Sequence, residues 1–537
     1  MEISKNLPLE KTALIVEFNN ESTPSNSGYL GSSSNEINNQ TNNQENTLEG
    51  QLITHEFEAS VSHKLSLKDV MPQVMMSCLA HCIVIQAGIN MAYSTILEDG
   101  LTKDFSATVD QLSWTASLVT IALPLGSFIV GPLMDLFGRK KICLASCIPG
   151  LISWIILIFA NSMTMIYIAR IIAGLSGGLS TVGIVYISEI THPNIRPMLL
   201  CFNSIFVSLG ILLTYCLGVW LTWKKMAIVF LVLHIFIFFI LFLIPESPYW
   251  IKCFRNKNSE EQANKLEAVL KKLNKSEEIY NQELKRISEV SQNQKTNDLP
   301  NDSFVKKCLY FYHQLGTTTV YKPCIILLFL FLFQQLTGTY VIIFYALSVF
   351  DKLGGQFGKG LNKYGAMVIL GIIRFLISIL TAFFSKKFGR RILLITSGLG
   401  MAFSMFFSAM YLYITSSPDE SGKLKEVMAD QKWLLLVIVL LFVCTSCLGF
   451  VIIPWTLIGE LLPISVRGMI GGYMVSIAYI MMFGMIKGYP YIIAEMGTQG
   501  VFFFFSVTSL ISVGFVYVFL PETLGKSFTE IERYFKN

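Results

Sequence analysis

Apolar runs of about twenty residues recur along this chain, and each is long enough to cross a hydrocarbon core of roughly 30 Å as one helix. Twelve are legible, at 73–97, 112–134, 142–160, 164–187, 198–220, 226–244, 323–350, 365–385, 392–414, 434–459, 467–493 and 500–520. A segment in lipid must satisfy its own backbone, so the fold class is all-α. Only 14% of the 537 residues are charged, against about a quarter in soluble domains. The chain reads as a polytopic membrane protein with twelve transmembrane helices.

Several function classes fall away. The net charge of +5 is small and sits mostly in loops, so no nucleic-acid partner is expected; the lipid bilayer is. Cys444 and Cys447 form a CxxC inside an apolar span with no second ligand pair, which favours helix packing over a metal or redox site. The LSGG at 175–178 lies in span four with no Walker A anywhere, and Gly525–Lys526–Ser527 has Leu520 where a P-loop needs its first glycine. With no HExxH or GxSxG either, no enzyme, metal or cofactor is expected. Residues 1–65, rich in Ser, Asn and Gln, cannot bury enough surface to fold and read as a disordered tail.

Loop charge sets the expected topology. FGRKK at 137–141, the long segment at 245–322 and KKFGRR at 386–391 concentrate Lys and Arg, whereas the first loop, 97–105, is acidic. Even-numbered spans then end in the cytoplasm, as do both termini. The 245–322 segment separates bundles at 70–244 and 323–520, leaving a short tail at 521–537; Leu266, Val269, Leu270 and Leu273 inside it are spaced for an amphipathic helix. The halves repeat one another. GPLMDLFGRKK answers SKKFGRR, PESPYW answers PETLGK, and Glu189/Arg196 after span four answers Glu460/Arg467 after span ten. Two such halves around a midplane site are the layout of a rocking transporter.

The ordered set Gly131/Asp135/Gly138/Arg139/Lys140, Arg170/Gly174, Pro245–Pro248, QQLTGTY from Gln334, Pro454–Trp455 and PETLG resembles the sugar porter family of the major facilitator superfamily. The resemblance covers residues 70–535, and GINMAYST at 88–95 is most similar to insect facilitated trehalose transporters. It implies two pseudo-symmetric six-helix bundles and a monomeric multi-pass carrier of the plasma membrane for a small neutral sugar. Cytoplasmic ion pairs are implied among Asp135, Arg139, Arg170, Glu189, Arg196, Arg390, Glu460 and Arg467; they would hold the outward-facing state. Lys386, where the family carries an acid, implies a looser second half. For Lys140, Lys141, Lys386 and Lys387, the topology role is the simpler reading.

Gln334 and Gln335 stand side by side in FLFLFQQLTGTYVIIFYA at 329–346. A buried amide without a partner costs on the order of 1–3 kcal/mol, so two facing lipid are disfavoured. The resemblance places them against sugar hydroxyls, with Trp455 offering an apolar face; helix-to-helix hydrogen bonding is the alternative. Asn90, Ser204, Tyr340, Tyr345, Arg374 and Tyr479 complete the implied substrate set. Departures from the family gather here. Tyr340 stands for Asn, Phe344 for Tyr, Ser204 for Gln, Ala478–Tyr479 for Asn–Trp, and Arg374 for the Asn of span eight. Three roles for Arg374 stay open: binding an anionic or strongly polar substrate, bonding to carbonyls or the Tyr340 phenol, or marking a diverged sensor. Asn90 occupies the position where proton symporters carry Asp, and no acid stands mid-span, so facilitated diffusion of trehalose or a hexose is expected.

Overall fold

The structure, a computed structural model, describes residues 67–253, 260–297, 316–353, 362–416, 432–463, 467–526 and 528–536. The predicted amino-terminal tail lies outside them. Spans one to three are Leu67–Phe105, Val109–Phe137 and Arg139–Ile158, and span four is Met163–Leu179 continued by Val182–Ile190. Spans five and six are Arg196–Gly218 and Trp223–Ile240. Linker helices Pro248–Cys253, Glu260–Leu273 and Glu277–Asn297 follow. Span seven comes in three pieces, Thr318–Leu336, Thr339–Phe344 and Ala346–Lys352. Spans eight and nine are Lys363–Lys387 and Arg390–Ser416, and span ten is Lys432–Leu448 continued by Ile453–Leu461.

The last two crossings differ from the expected pair separated by a loop. Within Arg467–Phe519 two helices meet directly at a kink at Gly497, where φ is +70°. Glycine takes that left-handed conformation without a Cβ penalty, so one residue does the work of a turn. Outward faces carry Phe236, Phe239, Phe383, Phe403 and Phe503, each more than half exposed. An apolar surface of this extent is one that lipid covers.

Small residues set the spacing within the first half. A Cβ on Gly178 would lie 2.2 Å from the Leu123 carbonyl oxygen, and one on Gly174 would lie 2.3 Å from that of Val119. The run GLSGG is therefore a backbone-to-backbone seam between spans two and four. Gly178→Val should destabilise by about 1–3 kcal/mol through overpacking; a melting temperature in detergent equal to that of the parent protein would show the seam to be looser.

The halves meet along span two against span eleven and span five against span eight. Linker leucines Leu266 and Leu270 pack on Ile251 and Ile287, as their spacing predicts. Gln73 at the start of span one fastens the linker: its Nε2 donates to Asn274 Oδ1 (2.7 Å), and its Oε1 accepts the His192 N–H (2.8 Å). This edge of the bundle is called the linker end below.

Candidate functional site

Broken helices decide where polar chemistry gathers. Span ten stops at Leu448 and restarts at Ile453. The Phe450 carbonyl would take its hydrogen bond from residue 454, but Pro454 has no N–H to give. Gln334 supplies the missing donor: its Nε2 bonds the Phe450 oxygen and lies 3.4 Å from that of Val451. Gln335 Nε2 donates to Gln334 Oε1 at 3.4 Å, which leaves Gln335 Oε1 buried with no protein partner. The two glutamines thus divide. Gln334 follows the helix-to-helix alternative, and Gln335 keeps an open acceptor.

An aromatic wall stands beside them. Trp455 Nε1 donates to the Tyr340 hydroxyl (3.2 Å), and its ring lies 5.0 Å from Phe331 and 5.4 Å from Tyr479. Tyr345 departs from expectation. Its hydroxyl donates to the Ile486 carbonyl (3.0 Å) and its ring packs on Tyr489, so it ties span seven to span eleven.

On the first half, both amide atoms of Asn90 are buried without a protein partner. So are both of Gln86, a residue the sequence reading passed over. Its signal was the four-residue spacing that puts Gln86 and Asn90 on one helix face. Ser204 is half-buried and its neighbour Asn203 also leaves Oδ1 without a partner. Carbonyls freed where span seven breaks at Tyr345 are taken across the seam between halves. Thr95 Oγ1 donates to the Ile343 and Phe344 oxygens (3.0 Å each), and Tyr215 to that of Ile343 (2.9 Å).

Arg374 is 2% exposed. Its Nη1 lies 3.9 Å from Cys447 Sγ, while the Tyr340 phenol takes the Trp455 indole instead. Neither the carbonyl nor the phenol anchor that the sequence suggested is formed. Span eight presses Arg374 toward the seam, because one turn on Ser378 Oγ lies 2.8 Å from Ser208 Oγ of span five.

At the linker end each half builds the same device. Arg139 grips Glu189 through Nε (2.9 Å) and Nη2 (2.8 Å), and its Nη1 reaches Asp135 (3.0 Å). Glu246 Oε1 accepts the Arg139, Lys140 and Ser247 N–H groups (2.8, 3.0 and 3.0 Å), closing the start of span three with a negative charge. In the second half Arg390 grips Glu460 through Nε (3.1 Å) and Nη2 (2.9 Å), and Glu522 accepts the Arg390 N–H (2.9 Å). Glu246 and Glu522 were missed as functional groups, although the repeated Pro-Glu announced them. Arg390 has one carboxylate where Arg139 has two, since Lys386 holds the place of Asp135.

Two expectations change. Arg170 is not part of this network. Its Nε donates to the Thr115 carbonyl (3.1 Å) and its Nη2 to that of Asn90 (3.0 Å) and to Ser94 Oγ, some nineteen residues and about 28 Å of helix from Glu189. Arg196, spaced to meet Glu189, instead donates from Nη2 to the Thr191 carbonyl (2.9 Å). The side chain of Arg467 lies outside the described residues.

The opposite end is fastened between halves. Lys487 of span eleven donates to Asp110 (2.6 Å) and Ser113 (2.7 Å) of span two and sits 4.3 Å over the Trp114 ring. The Tyr491 hydroxyl also donates to Asp110 (2.6 Å), and Tyr364 to Asp99 (3.0 Å). Among the described residues no ion pair joins the halves at the linker end.

Two repeated sets of six crossings, with buried polar groups left without protein partners on span one of the first and span seven of the second, have the layout of a secondary transporter. The chain belongs to the sugar transporter family, whose model, described as "Sugar (and other) transporter", matches residues 26–535. It is therefore a multi-pass membrane transporter and not an enzyme. It is 29% identical over 451 residues to the facilitated trehalose transporter Tret1 of Anopheles gambiae, covering 83% of this chain and 54% of that one. It is 28% identical over 451 residues to Tret1 of Culex quinquefasciatus, covering 83% and 82%. In fold it is similar to the proton:xylose symporter XylE bound to 6-bromo-6-deoxy-D-glucose, with a TM-score of 0.67, 21% identity, and 87% of this chain and 99% of that one covered. The inward-open conformation of XylE from E. coli gives a TM-score of 0.66 at 20% identity, covering 86% and 99%.

Proposed function

We propose that this transporter moves a sugar, with trehalose or a hexose as the reference substrate, down its gradient by alternating access. The observation that carries the reading is the set of buried amide atoms with no protein partner, Gln335 Oε1 on one half and the amides of Asn90 and Gln86 on the other. Each left unsatisfied costs on the order of 1–3 kcal/mol. A sugar hydroxyl donates and accepts at once, so it meets amide oxygens and amide nitrogens alike. Trp455, backed by Tyr340 and Tyr479, offers the apolar face of a sugar ring its wall.

In this reading the linker end faces the cytoplasm of a plasma-membrane monomer with both termini inside. The fastened end is the outer gate, and the sugar leaves on the linker side. Uncoupled transport is supported by Asn90, which gives its carbonyl and no carboxylate to the buried Arg170. The relatives' description as facilitated trehalose transporters agrees.

Uptake of labelled trehalose and glucose into proteoliposomes tests this. Saturable flux should stop at equal concentrations on both sides, with or without a pH gradient. Accumulation driven by the gradient would make it a symporter; binding without flux would make it a sensor.

A further inference from the structure

Within the carrier reading just given, on which this inference rests, we propose that the site prefers sugars bearing a single carboxylate, and that Arg374 is the residue that recognises the charge. Of the four buried arginines among the described residues, three turn the Nε/Nη2 edge to oxygen acceptors, although Arg170 leaves Nη1 without a partner, and the fourth leaves that edge bare. Arg139 and Arg390 each turn the Nε/Nη2 edge of the guanidinium toward a glutamate, Glu189 or Glu460. Arg170 turns the same edge to two carbonyls and the Ser94 hydroxyl. Arg374 turns only Nη1 to a partner, the Cys447 thiol at 3.9 Å, while Nε is buried with nothing to bond.

That edge carries two parallel N–H groups, the geometry that grips a carboxylate with paired charge-assisted bonds. In Arg374 it holds no hydrogen bond, and among the described residues no carboxylate forms an ion pair with it. A guanidinium near the middle of a span costs about 2.5–3.5 kcal/mol on insertion scales, so a charge left this bare is retained for a visitor. The position suits one. Cys447 precedes by three residues the Phe450 carbonyl that Gln334 caps, so Arg374 and the open Gln335 acceptor flank the same break in span ten. A visitor with hydroxyls at one end and a carboxylate at the other would satisfy both.

The test uses the full chain in proteoliposomes at neutral pH, with labelled D-glucose as tracer and D-glucuronate or its neutral amide, D-glucuronamide, as competitor. The two are nearly the same shape, and the amide lacks the charge and replaces one acceptor oxygen with an NH2 donor. Glucuronate should compete at least about tenfold better than glucuronamide, and labelled glucuronate should itself enter faster when the interior is made positive. In Arg374→Gln the ratio of the two competitors, read on the same vesicles, should fall to within about twofold. Equal competition in the parent protein, or a preference that survives in Arg374→Gln, overturns the inference while glucose uptake keeps the carrier reading standing. Should glucose not move at all, the carrier reading fails, and the inference is still decided in detergent. Stabilisation of the purified protein against heat by glucuronate over glucuronamide supports it; equal melting with both ends it.

Discussion

Arg139→Ala abolishes uptake and destabilises the purified protein by about 3–5 kcal/mol, the cost of breaking a buried ion pair from one side. The reason lies in what remains. With the guanidinium gone, Glu189 and Asp135 face each other without a cation between them, and Met134 loses a donor to its carbonyl. Arg390→Ala should cost less, because one carboxylate, Glu460, loses its cation rather than two; the hydroxyl that remains on each glutamate (Ser247 or Thr523) and the carbonyl that loses its donor (Met134 or Ser385) are common to both halves. Melting temperatures of the two variants in detergent, with uptake measured beside them, check the order. Equal losses would mean that the halves are held alike and that Lys386 at the place of Asp135 makes no difference.

Gln335→Ala raises the half-saturating sugar concentration about tenfold or more with a smaller loss of stability than Gln334→Ala, because its oxygen bonds to nothing in the protein and its nitrogen gives only the long 3.4 Å bond to Gln334 Oε1. Gln334→Ala does the reverse. It leaves the Phe450 carbonyl with neither the amide of Pro454 nor a substitute, a cost of about 1–3 kcal/mol that appears in melting. Concentration dependence of uptake and thermal unfolding, measured on both variants, separate the roles. Two variants with the same signature would dissolve the division between them.

The twelve crossings were legible because length and hydropathy act over twenty residues at a time and need no partner to be read. Helix breaks act over three or four, and their meaning depends on a distant chain segment. Nothing near Gln334 announces that a proline more than a hundred residues away leaves a carbonyl for it to bond. Arg170 shows the same limit from the other side. Its motif puts it with the cytoplasmic ion pairs, but span four is long, and only the fold tells which end of it the side chain serves. Gly497 is a third instance. One residue with a positive φ replaces a loop, and the apolar pattern on either side looks the same in both cases. The paired ion networks were the easier reading, because an internal repeat lets one half of the sequence interpret the other.

The unequal fastening of the two ends, with Lys487 and Tyr491 on Asp110 and Tyr364 on Asp99 tying the halves at one end and, among the described residues, no ion pair tying them at the other, bears on direction of flow. Unequal restraints make the empty protein rest more in one orientation than in the other, so influx and efflux acquire different half-saturation constants and different maximal rates. A carrier uncoupled from any ion still cannot concentrate a neutral cargo. Each half-saturation constant must therefore rise or fall in step with its own maximal rate, so that their quotients stay equal. What such lopsidedness governs is how quickly a cell fills or empties, never how full it becomes.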